Sequence, residues 1–350
     1  MRVRLTALAA VCTAALVAVA ATAAAEGSPP VRISGGGGKA TPYATTGLLN
    51  VTSFAWDGGT MFAGSSGNSQ KVPNGGIYVI HNGTGTEIPG GPLFVGGMAV
   101  HSGALYTSGA FLGAGGVSWQ ITKWTGWNGS AFAGHRAVYT APAKFQGFNG
   151  IAFGPDGRLY VGADVGLLNG NDHGPASLSP DLYDILSMTA GGKDVKVFAS
   201  GIRQPWQMAF APGSGSPFVS DLGQDGGAKN PPDFVLHVKR GQDYGFPKCN
   251  WTAATKKACG KYAKPLLTLT PHFDPMGVAV IGRTLYVESW VGAKGTGAVY
   301  ATSLTGGKVK PVVTGLPFAA DALAAHGGYL YAGGSSKEGD GPGMIYRFKP

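Results

Sequence analysis

One short pattern recurs six times along this chain and restricts its fold more than any other feature. Each copy is an apolar-alanine-apolar step, a turn, and an apolar pair that reads as a second strand. The alanines of the six copies are Ala55, Ala99, Ala152, Ala209, Ala279 and Ala324. They lie 44, 53, 57, 70 and 45 residues apart, which suits one four-stranded blade of a β-propeller. The repeat therefore predicts an all-β fold, a six-bladed β-propeller.

The last blade needs a strand from elsewhere, because the chain stops at Pro350, just after the third strand Met344–Phe348. Thr46–Leu48 precedes the first repeat as Thr314–Leu316 precedes the last, with the same Thr-Gly-Leu sequence. Residues around 40 to 46 are therefore predicted to be the missing outer strand, which closes the ring and removes its exposed edges. The alternative is an open β-sandwich in which the repeats are coincidental.

The chain begins with a pattern typical of a secretory signal over residues 1–25. A charged start is followed by an apolar run from Leu5 to Ala21 and a small-residue cleavage site ending at Ala25. A retained membrane anchor is the alternative, but the apolar run is short for one. Residues 26–39 are rich in Gly, Ser and Pro and predict a flexible leader, and residues 40–350 form the propeller. We expect a secreted protein with no membrane span after cleavage.

Cysteine and charge usage add two expectations. Once Cys12 leaves with the signal, Cys249 and Cys259 remain, and in an exported protein they predict a disulfide rather than a metal pair. The formal net charge is +9, and only Lys256 and Lys257 are adjacent among the lysines. Since no basic stripe with interleaved aromatics occurs, nucleic acid is not an expected partner. We expect a monomer.

The propeller repeat predicts where polar side chains converge. Segments that enter each innermost strand and segments that leave each second strand lie on one face of the ring, around a funnel. Before the innermost strands stand Gln146, Asn149, Arg203, Gln204, His272, Asp274 and Asp321. After the second strands stand Asp164, Asp221, Gln224, Asp225, Glu288 and Trp290, and a long loop carries His173. Such a mixture of charged and polar side chains suits an anionic or metal-bridged ligand. The alternative is that these side chains only form hydrogen bonds with one another.

Three of these residues allow two roles each. Arg203 offers a planar fork for a carboxylate, or forms an ion pair with Asp221 between blades. His173 is the histidine best placed to accept a proton near neutral pH, or it is only a surface residue. His272 binds a ligand or caps a turn.

Several stretches in fixed order resemble the glucose/sorbosone dehydrogenase family. The likeness covers roughly residues 140 to 290, and the flanking blades match only as generic propeller. The stretches that carry it are Phe148–Val161, Gly201–Pro205, Phe218–Asp225, Pro232–Leu236 and Gly241–Cys249. The resemblance implies a six-bladed propeller that oxidises a sugar or a related aldehyde with pyrroloquinoline quinone and calcium.

The resemblance also implies roles for individual residues. Arg203 would contact the quinone, and the carbonyl oxygens of the Gly223-Gln224 turn would bind calcium, a hard cation that prefers oxygen ligands. Lysines of the last blades would bind the carboxylates of the cofactor. The cofactor-binding candidates are Arg203, Gln204, His272, Lys294 and Lys337, and the metal candidates are Gly223, Gln224 and Asp221.

The sequence departs from the family at the catalytic base. The family has a histidine where this chain has Gln146, and glutamine cannot accept a proton from a sugar hydroxyl. The asparagine that usually follows the arginine is Gln204 here. Gln146 and His173 are therefore the two catalytic candidates, with His173 standing in as base.

Two alternatives to a quinoprotein-like oxidoreductase use the same funnel. In the first, Asp164, Asp221 and Glu288 chelate a divalent cation that activates water for lactone or ester hydrolysis. In the second, a non-catalytic propeller binds a glycan or a protein. Its candidate stacking residues are exposed aromatics, namely Trp124, Trp127 and Trp251.

Overall fold

The computed structural model describes residues 31–33, 39–67, 74–113, 116–142, 147–164, 182–224, 231–251, 256–290, 296–337 and 340–350. These residues form six antiparallel sheets and one short helix. Within these ranges no helix has the length and hydropathy needed to cross a membrane. Two short N-terminal strands precede the first sheet, namely β1 (Arg32–Ile33) and β2 (Thr41–Ala44).

Blades 1 to 3 are four-stranded sheets whose strands follow one another in chain order. Blade 1 consists of β3 (Asn50–Asp57), β4 (Thr60–Gly67), β5 (Gly76–His81) and β6 (Thr84–Ile88). Blade 2 consists of β7 (Phe94–His101), β8 (Ala104–Gly113), β9 (Gly116–Trp127) and β10 (Phe132–Thr140). Blade 3 consists of β11 (Phe148–Phe153), β12 (Leu159–Ala163), β13 (Asp184–Met188) and β14 (Lys196–Ala199).

Blades 4 to 6 repeat this order. Blade 4 consists of β15 (Pro205–Phe210), β16 (Pro217–Asp221), β17 (Phe234–His237) and β18 (Leu267–Thr268), with α1 (Lys256–Cys259) before the last strand. Blade 5 consists of β19 (Pro275–Ile281), β20 (Thr284–Ser289), β21 (Gly297–Ser303) and β22 (Gly306–Leu316). Blade 6 consists of β23 (Ala319–His326), β24 (Tyr329–Lys337) and β25 (Asp340–Phe348).

The ring closes as the sequence predicts. Each innermost strand packs on the innermost strand of the next blade, and β23 of blade 6 packs on β3 of blade 1. Strand β2 pairs with β25, where Thr41 lies opposite Arg347 and Ala44 opposite Ile345. The N-terminal segment thus supplies the fourth strand of blade 6, and the open sandwich is excluded.

Part of the predicted leader joins a sheet. Arg32 and Ile33 pair with Thr314 and Val313 on the outer edge of blade 5, which gives that sheet a fifth strand. An outer strand presents unpaired N–H and C=O groups that a passing extended segment can satisfy. The predicted disulfide is confirmed: Cys249 and Cys259 are bonded, with Cα atoms 5.3 Å apart.

Packing between blades explains the apolar pattern of the repeat. In blades 2 and 3, the tyrosine of the apolar pair contacts the aromatic residue that follows the repeated alanine of the next blade. Tyr106 contacts Phe153 edge-to-face with ring centroids 5.0 Å apart, and Tyr160 contacts Phe210 at 5.1 Å. The core therefore lies between neighbouring sheets, and each blade needs the next one to bury its own surface.

Every innermost strand carries a β-bulge three residues before the repeated alanine. The pairing register with the second strand shifts across this position in all six blades. The six residues are Thr52, Gly96, Asn149, Trp206, Met276 and Asp321. A bulge removes a residue from the ladder and bends the strand. Their carbonyl groups are thus released from the sheets near the funnel.

Side chains from other blades donate hydrogen bonds to five of these carbonyl groups. Trp206 Nε1 donates to Asp321 O at 3.1 Å, and Gln207 Nε2 donates to Thr52 O at 2.8 Å and to Gly96 O at 3.1 Å. Ser220 Oγ donates to Met276 O at 2.8 Å, and Ser108 Oγ donates to Asn149 O. The contacts of Gln207 run from blade 4 across the axis to blades 1 and 2. Trp206 and Gln207 therefore fill the axis at this level.

We expect Gln207→Leu to lower the free energy of unfolding by about 2–3 kcal/mol, because two buried carbonyl groups lose their donor. Urea unfolding of the full chain measures this change. Gln120→Leu is the matched control, since Gln120 Nε2 contacts only Ser118 Oγ at 2.8 Å among its described hydrogen bonds. Equal losses in the two variants would contradict a bracing role for Gln207.

Candidate functional site

The mouth of the propeller is the face at which the innermost strands begin and the second strands end. Arg203 lies there, in the loop before β15, and is only 2% exposed. Its Nη1 atom donates to Gln204 Oε1 at 3.0 Å, to Leu222 O at 3.1 Å and to Gly223 O at 2.5 Å. One corner of the guanidinium is thus fixed by three acceptors.

The other edge of the same guanidinium has no partner. Arg203 Nε and Nη2 are buried, and no acceptor within the described part of the chain takes a hydrogen bond from them. The ion pairs found in these residues join Asp194 to Arg158 and to Lys196, so the proposed ion pair between Arg203 and Asp221 is wrong. Two parallel N–H groups on one edge form the fork that binds a carboxylate. Arg203 therefore presents an unsatisfied, preoriented anion-binding group.

Asp221 lies beside Arg203 but binds the backbone. Its Oδ1 accepts a hydrogen bond from Gln204 N at 2.8 Å. Burial raises the pKa of Asp221 to about 7, while the Gln204 N–H and nearby Arg203 oppose this shift and Asp233 adds to it. Gln204 is thus held from both ends, which fixes the amide oxygen that orients Arg203.

Asp233 holds the turn that follows Asp221. Its Oδ1 accepts from Gly223 N at 2.6 Å and its Oδ2 from Asp274 N at 2.9 Å. His272 and Asp274 adopt left-handed backbone conformations, with φ of 59° and 48°. Such conformations are costly outside glycine and often mark functional sites. Burial raises the pKa of Asp233, while the backbone N–H groups of Asp274 and Gly223, and to a smaller extent the exposed His272, oppose this shift.

The described residues do not fit calcium at the Gly223-Gln224 turn. The Gly223 carbonyl oxygen already accepts from the Arg203 guanidinium, so a divalent cation there would face a like charge at close range. Gln224 Oε1 accepts from Asn250 Nδ2 at 2.9 Å. The described ranges also contain no group of three or more acidic, histidine or cysteine residues that could hold a metal.

Tyr183 belongs to the same neighbourhood, and sequence reasoning missed it. Burial raises the pKa of Tyr183, Arg203 lowers it and Asp164 raises it, so all three groups are electrostatically coupled. Its φ is 71°, and its ring packs on Phe246 with centroids 4.9 Å apart. Asp164 in turn accepts a short hydrogen bond from Asn149 Nδ2. No sequence signal marks Tyr183, because only the folded chain brings it beside Arg203 and Asp164.

Four predicted site residues cannot be placed in full. Gln146, His173 and Lys294 lie outside the described residues. Lys337 ends β24, where its backbone pairs with Asp340 at the mouth. Their roles stay predictions.

Two other expectations are corrected. Asp164, Asp221 and Glu288 do not converge on a metal, because Asp164 contacts Asn149, Asp221 contacts the Gln204 backbone and Glu288 is coupled to Asp321. The tryptophans are not an exposed platform either. Trp124 is 1% exposed and donates to Thr107 Oγ1, while half-buried Trp251 donates to Tyr244 O. Trp127 is half-buried against Phe62 and Phe132.

A small cavity borders Arg203. Gly201, Asp221, Gly223, Tyr244 and Trp251 are among the described residues that line it, and its volume is about 10 Å³. This is room for about one water molecule.

Comparison with known proteins supports the architecture. No protein-family model and no curated protein matches the sequence. A candidate oxidoreductase (glucose dehydrogenase) from Thermus thermophilus matches the structure with a TM-score of 0.71 and 22% identity, over 89% of this chain and 99% of that chain. The two chains share one fold.

A nidogen/laminin complex also matches, with a TM-score of 0.46 and 14% identity, over 81% of this chain and 83% of that chain. This score is too low to establish a common fold. In all, 548 chains of solved structures match.

Proposed function

We propose that this protein is a secreted oxidoreductase of the glucose/sorbosone dehydrogenase type, which oxidises a sugar or an aldehyde with pyrroloquinoline quinone. The observation that carries the proposal is Arg203, a buried guanidinium whose Nε and Nη2 atoms have no partner in the described residues. A buried, unpaired donor edge costs free energy unless an acceptor arrives. A carboxylate of the quinone supplies that acceptor.

The sequence motif and the fold support the same assignment. Arg203 stands at the position that the family resemblance gives to the quinone-binding arginine. The Thermus chain with the same fold is described as a glucose dehydrogenase. The Cys249–Cys259 disulfide agrees with export, since such bonds persist in oxidising compartments.

The residues of the chain would act mainly by binding and orientation. Gln204 and the carbonyl groups of Leu222 and Gly223 hold Nη1, so the free edge of Arg203 points in one direction. The quinone, when bound, supplies the electron acceptor for substrate oxidation. His173 is proposed to accept the substrate proton, because Gln146 has no basic atom. Calcium has no step in this scheme, since the Gly223 carbonyl does not fit it.

Titration with pyrroloquinoline quinone, with and without calcium, tests the proposal. We expect a change in the quinone absorbance spectrum and dye reduction with at least one member of a sugar and aldehyde panel. Arg203→Leu should weaken quinone binding by about 10- to 100-fold, which is the contribution of charge-assisted hydrogen bonds. Arg203→Lys keeps the charge but loses the planar fork. Its affinity for the quinone should therefore lie between those of the wild type and Arg203→Leu.

The matched control is Arg136→Leu, which removes an exposed arginine from the outer strand of blade 2. It should bind the quinone as the wild type does. An unchanged spectrum with the wild-type protein would refute the proposal, and so would equal affinity of the Arg203→Leu and wild-type proteins.

A second candidate is a propeller that binds an anionic ligand without turnover. The observation in its favour is that Trp206 and Gln207 fill the axis below the mouth, with bonds to Asp321, Thr52 and Gly96. Quinone or carboxylate binding that depends on Arg203, without dye reduction on any substrate, would select this candidate.

A further inference from the structure

Glu288 and Asp321 form a buried acidic pair between blades 5 and 6, whereas Arg203 belongs to blade 4. Glu288 lies near the end of β20 and is fully buried, and Asp321 occupies the bulge of β23 and is 4% exposed. Acidic side chains are almost never fully buried unless they are paired. Yet Glu288 Oε1 and Oε2 both lack a hydrogen-bond partner within the described residues.

Asn50 of blade 1 brings a third unsatisfied oxygen to the same place. It lies beside the Asp321 carboxyl group, and its Nδ2 donates to Ser66 Oγ at 2.9 Å. The Oδ1 atom of Asn50 is buried and has no partner among the described residues. Three acceptor atoms from blades 5 and 1 therefore lie around Asp321 of blade 6 without a donor in that part of the chain.

The backbone makes room for this arrangement. A Cβ atom on Gly277 would lie 2.8 Å from Glu288 Oε2 and 2.5 Å from Leu323 N. Glycine at this position lets the Glu288 carboxyl group lie against β19, next to the boundary with blade 6. Any larger residue would collide with the Glu288 carboxyl group and the Leu323 backbone.

We propose that Glu288, Asp321 and Asn50 form a buried site for a hard divalent cation that joins blades 5, 6 and 1. All candidate ligand atoms are oxygens, and two carboxyl groups match the charge of such an ion. Calcium suits the site better than magnesium, because calcium accepts irregular sets of six to eight oxygens and magnesium demands near-ideal octahedra. Water or backbone carbonyl groups complete the coordination.

The electrostatics agree with a missing positive charge. Both carboxyl groups are buried, where an unpaired charge is costly. None of the ion pairs found in the described residues includes either carboxyl group. A bound divalent cation would supply that charge.

Calcium alone is the probe, and no quinone or substrate is needed. The purified full chain is stripped with chelator, dialysed into metal-free buffer and titrated with calcium or magnesium. We expect about one calcium ion per chain by elemental mass spectrometry and a rise in Tm of roughly 5–10 °C at saturation. Magnesium should raise Tm less.

Glu288→Gln and Asp321→Asn should abolish both the bound calcium and the Tm response. We expect Glu288→Gln to fold, because a neutral amide replaces a buried carboxyl group that has no partner. Its metal-free Tm should equal or exceed that of the wild type. The matched control is Asp233→Asn, another buried carboxyl group at the mouth, which should keep the calcium response.

Three outcomes would overturn the inference. The first is a wild-type Tm that no divalent cation changes, which would mean that the pair holds a proton instead. The second is an equal calcium response in the wild type and Glu288→Gln. The third is loss of the response in Asp233→Asn alone, which would place the ion at the Gly223 turn. None of these results bears on quinone binding at Arg203.

Discussion

Replacing Gly150 by alanine is expected to lower the free energy of unfolding by about 3–4 kcal/mol, since overpacking against fixed atoms is among the costliest core changes. Gly150 lies in the bulge of β11, where blade 3 approaches blade 4. A Cβ atom there would lie 2.6 Å from Trp206 O and 2.7 Å from Gln207 Cα. Both are backbone atoms of the next innermost strand, so no side-chain rotation relieves the contact.

Gly134→Ala is the matched control, because Gly134 lies in the exposed outer strand of blade 2 and its Cβ would meet nothing within 4 Å. We expect its stability to stay within about 0.5 kcal/mol of the wild type. Urea unfolding of both variants measures the difference. If Gly150→Ala unfolds at the wild-type midpoint, the blades do not approach as closely as the structure shows.

The second large effect concerns pH. Burial raises the pKa of Asp221 to about 7, against about 3.9 for an unfolded aspartate. Between these values the folded protein holds the proton that the unfolded chain has released, so the unfolded state binds fewer protons. Stability therefore falls by roughly 1.4 kcal/mol per pH unit as pH rises toward about 7, and then levels off.

Asp221→Asn isolates this contribution, because the amide oxygen can still accept from Gln204 N. The free energy of unfolding of the variant, minus that of the wild type, should increase by roughly 2–3 kcal/mol as pH rises from about 5 to about 9. Urea unfolding across this range, in metal-free buffer, provides the measurement. A difference between the two proteins that is constant with pH would show that Asp221 titrates alike in both states.

Much of the fold could be predicted because its signals are local and repeated. The Ala-centred pattern indicates six blades, since each copy supplies an innermost strand and an apolar pair, in which a residue such as Tyr106 packs on the next blade. The shared Thr-Gly-Leu sequence indicated that residues near Thr41–Ala44 complete blade 6. The pairing of Arg32 and Ile33 with blade 5 could not be predicted, because a two-residue strand has no periodicity.

The candidate site was predictable only in part. Arg203 was found through its motif, but the free edge of its guanidinium depends on which acceptors engage Nη1. The same contact removes the Gly223 carbonyl oxygen as a calcium ligand. Tyr183 gave no signal, because only the folded chain brings it beside Arg203 and Asp164.

The sequence alone determined the number of blades, the closure of the ring and the face that gathers the polar loops, because hydrophobic periodicity and turn residues act over short distances. Only the tertiary structure decided which polar atoms are satisfied. The bulge carbonyl groups, the Gln207 contacts across the axis and the meeting of Glu288, Asp321 and Asn50 join residues far apart in the chain. Their energies depend on burial and on distances between blades, which no local pattern encodes.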